Sequence, residues 1–135
     1  MNEDIIILIA EDNRGHYILA EHCLRNAGFS NRIIWLTDGQ HLYDFLYSEG
    51  NGPKLTSDHK YILLLDIRMP KIDGIQVLES IKNDEDLRDI PVVIVSTSDN
   101  PTYVKRCKEL GCSAYIVKPL GEDFIEAVQN SCASL

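Results

Sequence analysis

The chain is expected to fold as an α/β protein, a mostly parallel, doubly wound sheet with helices on both faces. Three observations carry that expectation. Short runs rich in Ile, Leu and Val, at residues 5–10, 33–36, 61–65, 92–95 and 114–117, alternate with longer stretches of helical periodicity. The runs are continuously apolar rather than alternating, as strands buried on both faces should be. Five strand–helix units can be counted, and a (βα)5 alternation implies parallel strands joined by right-handed crossovers.

The elements follow in order. The first strand ends at Ala10, and a helix runs from about Arg14 with Asn13 as its N-cap, Ile18, Leu19, Cys23, Leu24 and Ala27 on one face, and Gly28 as its stop. The second strand, 33–36, leads through Thr37, Asp38 and Gly39 into a short helix carrying Leu42, Phe45 and Leu46. Residues 49–60 hold two glycines, a proline and several polar residues, which makes them the one long loop of the chain. The third strand ends at Asp66, and a turn-rich stretch over 69–74 precedes a helix bearing Ile75, Val77, Leu78 and Ile81. The fourth strand ends at Ser96, and the helix after Pro101 carries Val104, Cys107 and Leu110 before Gly111 stops it. The fifth strand leads to Lys118 and Pro119, and the last helix bears Phe124, Ile125 and Val128. With no repeat, low-complexity tract or linker in view, residues 1–135 are expected to form one domain with no room for a second.

At 135 residues such a domain buries roughly two thirds of its unfolded surface, enough for a core without staples. Hydrophobic residues at 44% and charged residues at 25% match ordinary soluble usage. The formal net charge of −8 argues against nucleic acid or an anionic membrane as the main partner, since most of the surface would repel both. No basic flank precedes the first apolar run and no run approaches membrane-spanning length, so a cytoplasmic protein is expected. Cys23, Cys107, Cys112 and Cys132 form no C-x-x-C pair and are expected as buried or half-buried free thiols. His16, His22, His41 and His59 show no metal-ligand spacing with them and are expected at the surface or the boundary of the core.

The chemistry lies at the strand ends. Glu11 and Asp12, Asp66, Ser96 and Lys118 each close a different apolar run. In a parallel sheet those ends share one edge, so the residues meet in one crevice. Carboxylates about 4 Å apart repel by about 4 kcal/mol per pair at an effective dielectric near 20, so such a cluster needs a cation. A divalent metal and a charge-transfer reaction at one acid are implied. Taken singly each residue has a plainer explanation: an acidic pair favoured by a helix start, an aspartate capping a turn, a solvated loop lysine, a half-buried strand tyrosine. Four such coincidences are needed for the plainer explanation to hold throughout.

Glu11-Asp12 after the first strand, Asp66 in Asp66-Ile-Arg-Met-Pro70 with Asp73-Gly74 beyond it, Ser96, Tyr115 and Lys118-Pro119 together resemble a response-regulator receiver domain of two-component signalling, over essentially the whole chain. The Glu-Asp-Asn phrase, the extended loop before the third strand and the absence of an output domain are most similar to single-domain regulators paired with phytochrome-type sensor kinases. The resemblance implies a flavodoxin-like fold with strand order 2-1-3-4-5. It implies Asp66 as the acceptor of a phosphoryl group from a sensor histidine kinase, with Lys118 and Ser96 assisting. It further implies Mg²⁺ or Mn²⁺ held by Asp12 and Asp66, by Glu11 largely through water, and by the backbone carbonyl of Arg68. Ser96 and Tyr115 would form the output switch, and Lys118-Pro119 a cis peptide. Such a protein is no enzyme in the usual sense, though it catalyses its own phosphorylation and dephosphorylation. Its partners would be the kinase and a downstream target or phosphotransfer protein, with homodimers possible through the face of the fourth helix, fifth strand and fifth helix.

Three other functions compete. A flavin or nucleotide binder of this fold class needs a Gly/Ser/Thr-rich cradle after the first strand, where Glu-Asp-Asn-Arg stands instead. An aspartyl-nucleophile phosphatase usually wants a second acid two residues on, where Arg68 stands. A receiver-like binding module that is never phosphorylated would have little reason to keep Asp66, Lys118 and both acids together.

Overall fold

The computed structural model describes residues 4–48, 54–70 and 72–135, with the side chain of Ile72 also outside the description. Five parallel strands form one sheet: β1 (Ile5–Ala10), β2 (Ile33–Leu36), β3 (Lys60–Leu65), β6 (Val92–Ser96) and β7 (Ala114–Val117), in the order β2-β1-β3-β6-β7. Counted along the sheet alone, this is the order 2-1-3-4-5. Five helices accompany it: α1 (Arg14–Asn26), α2 (Gly39–Leu46), α3 (Gly74–Lys82), α4 (Pro101–Glu109) and α5 (Glu122–Ala133). The turn-rich stretch also holds an antiparallel ladder absent from the sequence-based expectation, β4 (Arg68–Met69) against β5 (Ile72–Asp73). Of the long loop expected over 49–60, residues 49–53 lie outside the description, as does Lys71 of the turn.

The unbroken apolar runs divide between two layers because successive side chains of a strand point to opposite faces. Ile5, Ile7 and Ile9 pack with Ala20 and Leu24 of α1 and Phe124 and Val128 of α5. Ile6, Leu8 and Ala10 pack on the other face with Leu42 and Phe45 of α2, Val77 and Ile81 of α3 and Cys107 of α4. Burying one such Leu, Ile or Phe side chain contributes about 1.5–3 kcal/mol, so either layer alone far exceeds the ion pairs in weight. All four cysteines are free thiols, two buried and two half-buried. No helix among the described residues is long and apolar enough to cross a membrane.

On α1 the expected face holds at Cys23, Leu24 and Ala27 but not at Ile18 and Leu19. Ala20 and Leu24 are buried, with Tyr17, Cys23 and Ala27 packed beside them, whereas Ile18 is 42% and Leu19 61% exposed. The pattern 17, 20, 24, 27 is itself an i, i+3, i+7, i+10 stripe, and its aromatic member, Tyr17, stacks on Trp35 of β2.

Short polar residues set where the helices begin. The side chains of Asn13, Asp38, Asp73 and Asn100 accept from the main-chain N–H of His16, His41, Ile75 and Thr102. Asp73 caps α3 directly beneath the site, and Gly74 lets that helix start against the chain leaving β3. A Cβ on Gly74 would overlap Cα of Ile67 and stand 3.1 Å from the carbonyl oxygen of Asp66. Gly74→Ala should therefore lower the midpoint of urea unfolding by an amount equivalent to about 1–3 kcal/mol, the usual cost of overpacking against atoms that cannot yield. The same substitution at Gly28, whose Cβ would meet nothing within 4 Å but whose φ is +94°, isolates the backbone-strain cost for comparison.

Candidate functional site

The in-register pairing of β1 with β3 sets Ala10 against Leu65, so the next residues, Glu11 and Asp66, leave the sheet side by side. The main-chain N–H of Asp66 donates to the carbonyl of Ala10 at 3.1 Å and closes that edge. Glu11 and Asp66 are buried and Asp12 is exposed, and each offers a carboxylate oxygen within 4.8 Å of the others. Lys118 arrives from the end of β7. Its main-chain N–H donates to the carbonyl of Ser96 at 2.8 Å, and its peptide bond to Pro119 is cis.

The Lys118 ammonium, 11% exposed, is the cation of the cluster. It donates to Glu11 Oε1 at 2.6 Å and stands 3.6 Å from Asp66 Oδ2. Asp66 Oδ1 is held from the other side by the main-chain N–H of Arg68, at 2.9 Å. Arg68, the first residue of the small ladder, thus brings its backbone to the site while its side chain is exposed. Three carboxylates against one ammonium leave an excess of negative charge in a partly desolvated crevice. Burial, reinforced by the neighbouring Asp66 carboxylate and opposed by the Lys118 hydrogen bond, pushes the Glu11 carboxyl up to about 7. The donor set is all oxygen, two of its three members are buried, and their mutual repulsion is incompletely offset by Lys118. That is the chemistry of a site for a hard divalent cation.

Ser96 and Tyr115 make their own hydrogen bonds to the β6–α4 loop. Ser96 is fully buried at the end of β6, and its Oγ accepts from the main-chain N–H of Ser98 at 3.0 Å. Tyr115, half-buried on β7, donates its hydroxyl to the carbonyl of Ser98 at 2.8 Å, and burial pushes its phenol up. Both side chains therefore converge on one residue of the β6–α4 loop.

Three further residues at the site escaped the sequence-based expectation. His16, expected as an ordinary surface or boundary histidine, sets Nδ1 2.9 Å from the Lys118 Nζ. Trp35 on β2 donates its indole N–H to the main-chain carbonyl of Glu11 at 2.7 Å. Tyr17 stacks on Trp35, ring centroids 4.3 Å apart and planes 4° from parallel, a contact of about 0.5–1.5 kcal/mol beyond its buried area. The available signal for His16 was positional: it falls in the first turn of the helix that starts beside the acidic pair, three residues after the cap.

The raised Glu11 carboxyl has a definite consequence for stability. Its folded pKa lies above the ordinary 4.5, so the folded chain holds a proton that the unfolded chain releases between about pH 4.5 and 7. The stability from this group is complete below that window and lost as pH rises through it. In chelator-treated protein, urea unfolding should show a decline from pH 5 to pH 8 that is smaller in Glu11→Gln, each profile being compared with its own value at pH 5.

A family model described as the response regulator receiver domain matches residues 7–129. The probable methanogenesis regulatory protein FilR2 of Methanothrix harundinacea (strain 6Ac) is 40% identical over 130 residues, spanning 95% of this chain and 81% of its own length. The response regulator Rcp1 of Synechocystis sp. (strain ATCC 27184 / PCC 6803 / Kazusa) is 33% identical over 130 residues, 96% of this chain and 87% of that one. The crystal structure of the Mn²⁺-bound form of Rcp1 matches with a TM-score of 0.75 at 32% identity, over 93% of this chain and 89% of that one. The phosphorylated cyanobacterial phytochrome response regulator RcpA matches with a TM-score of 0.72 at 30% identity, over 96% and 89%.

Proposed function

The chain belongs to the response regulator receiver family, and from that premise we propose that residues 1–135 act as a receiver whose Asp66 accepts a phosphoryl group from a phosphohistidine of a sensor kinase. The observation that carries the proposal is the environment of Asp66: one oxygen fixed by the Arg68 N–H, the other facing a nearly buried ammonium, and two more acids beside it. A carboxylate oxygen of Asp66 attacks phosphorus, the P–N bond to the donor imidazole breaks, and an acyl phosphate forms. Hydrolysis of that acyl phosphate returns the free carboxylate, and no other substrate is turned over. Lys118 is placed to neutralise charge on the equatorial oxygens, which is most of what catalysis of phosphoryl transfer requires.

Asp12 and Asp66 directly, Glu11 through water and the Arg68 carbonyl would hold Mg²⁺ or Mn²⁺, which supplies further charge neutralisation when bound. The Mn²⁺-bound Rcp1 structure supports this donor set as a divalent site. The description of RcpA as a phytochrome response regulator supports a phytochrome-type kinase as the donor. The phosphorylated state passes to a downstream protein, a phosphotransfer protein or a second copy through the face of α4, β7 and α5. The net charge of −8 favours protein partners in the cytoplasm over nucleic acid or membrane.

The output step runs through Ser96 and Tyr115. A phosphoryl oxygen on Asp66 recruits the Ser96 hydroxyl, the bond from Ser98 N–H to that hydroxyl is lost, and the Ser98 carbonyl moves with its loop away from the Tyr115 hydroxyl. The ring then follows into the vacated space.

Incubated with acetyl phosphate and Mg²⁺, the wild-type chain should gain the mass of one phosphoryl group. Asp66→Asn should gain none and stay folded, since the change keeps the volume and removes one repelling charge; a chelator should stop uptake by the wild type. Amide hydrogen exchange across residues 97–120 reads the output step. Ser96→Ala should take up phosphoryl yet lose most of the exchange change that phosphorylation causes in the wild type, and Tyr115→Ala should lose partner binding more than phosphorylation.

A further inference from the structure

We infer that His16 is a positioning residue for this transfer: its Nδ1 holds the Lys118 ammonium off Asp66, keeping the carboxylate free to attack and the ammonium aimed where phosphoryl oxygens arrive. The inference rests on the reading of Asp66 as phosphoacceptor. An ammonium carries only donors, so in the contact between Lys118 Nζ and His16 Nδ1 at 2.9 Å the imidazole nitrogen accepts and the ring hydrogen sits on Nε2. Two of the three lysine donors are thereby satisfied at hydrogen-bond distance, by Glu11 Oε1 at 2.6 Å and by His16. The contact to Asp66 Oδ2, at 3.6 Å, is an electrostatic approach and not a hydrogen bond.

Removing the acceptor at 16 leaves a nearly buried ammonium with two of its three donors unsatisfied and frees it to shift, and Asp66 Oδ2, already 3.6 Å away, is the carboxylate oxygen it would move toward. Closing that gap would make a charge-assisted hydrogen bond to the nucleophile itself. The lone pair that must attack phosphorus would then be engaged, and the ammonium would be drawn inward from the entering phosphoryl group.

The backbone that carries the imidazole is fixed beside the site. Asn13, the N-cap of α1, accepts from the His16 main-chain N–H at 3.0 Å, so the cap that starts the helix also fixes the residue. The side chain is 40% exposed and borders a hollow of about 360 Å³ that Leu19, Thr97, Pro119 and Leu120 also line. A replacement at 16 therefore need not be accommodated inside the core.

The test uses the full chain with acetyl phosphate and Mg²⁺, and follows the rate of phosphoryl uptake in His16→Leu, His16→Asn and His16→Gln. Asn can place an oxygen acceptor where Nδ1 stands, Gln places its amide near Nε2, and Leu offers no acceptor. Leu and Gln should slow uptake by about tenfold, the order expected for one hydrogen bond to a charged group, and Asn should restore it to within about twofold of the wild type. Thermal midpoints identify any variant that fails to fold; if Leu does, the comparison of Asn with Gln decides. Equal rates in all variants, or equal slowing of Asn and Gln, would overturn the role of His16. No uptake by the wild type would instead bring down the phosphoacceptor reading, and this inference with it.

Discussion

The structure turns on the meeting of like charges that a parallel sheet makes unavoidable when acids end its central strands. Glu11 and Asp66 follow register partners on β1 and β3, so no side-chain adjustment can separate them far. At an effective dielectric near 20, each carboxylate pair about 4 Å apart costs about 4 kcal/mol, a large fraction of the net stability of a domain this size. Lys118 is the offset, and its place in the sheet dictates its residue type. Adjacent strands lie about 4.8 Å apart, so β7, two strands from β3, is roughly 10 Å away. A long, flexible cationic side chain can cross that span over Ser96, where a short one could not. One ammonium cannot neutralise three carboxylates, and the residue of negative charge suits the crevice to a divalent ion.

Much of this was legible in the sequence for a simple reason: strands buried on both faces advertise themselves as unbroken apolar runs, and whatever follows each run is placed at a known edge. Residues 5–10 are such a run, and their odd and even members divide cleanly between the two helical layers. Glu11, Asp12, Asp66 and Lys118 needed no more than that rule to be brought together. The start of α1 was likewise legible, because Asn13 caps by contact with its own local backbone.

What the sequence could not convey is contact between elements. The phase of α1 was ambiguous between a stripe through Ile18 and Leu19 and one through Tyr17 and Ala20. Hydrophobicity favours the first, whereas the stack of Tyr17 on Trp35 and the indole bond to Glu11 belong to the second. Leu19 is left exposed beside the hollow at Lys118 in consequence. His16 carries no periodic signal at all, and its meaning depends on a lysine 102 residues away. The ladder of Arg68–Met69 with Ile72–Asp73 is too short to have a period, yet it directs the Arg68 N–H to Asp66.

The energetics of the proposed switch follow from the same crowding. Driving an equilibrium from about 1:99 to 99:1 takes roughly 5.5 kcal/mol of differential interaction, and one charge-assisted hydrogen bond from Ser96 contributes about 1.5–3. Lys118 cannot simply supply the remainder, because its bonds to Glu11 and His16 already exist in the resting state. Only the excess of a phosphoryl oxygen over those acceptors counts toward the shift. The bond from Ser98 N–H to Ser96 and the bond from Tyr115 to the Ser98 carbonyl are lost together, a cost that burial of the Tyr115 ring must outweigh. In the proposed switch both bonds end on Ser98, so movement of that residue would change both. That shared residue would couple small increments, none sufficient alone, into one transition.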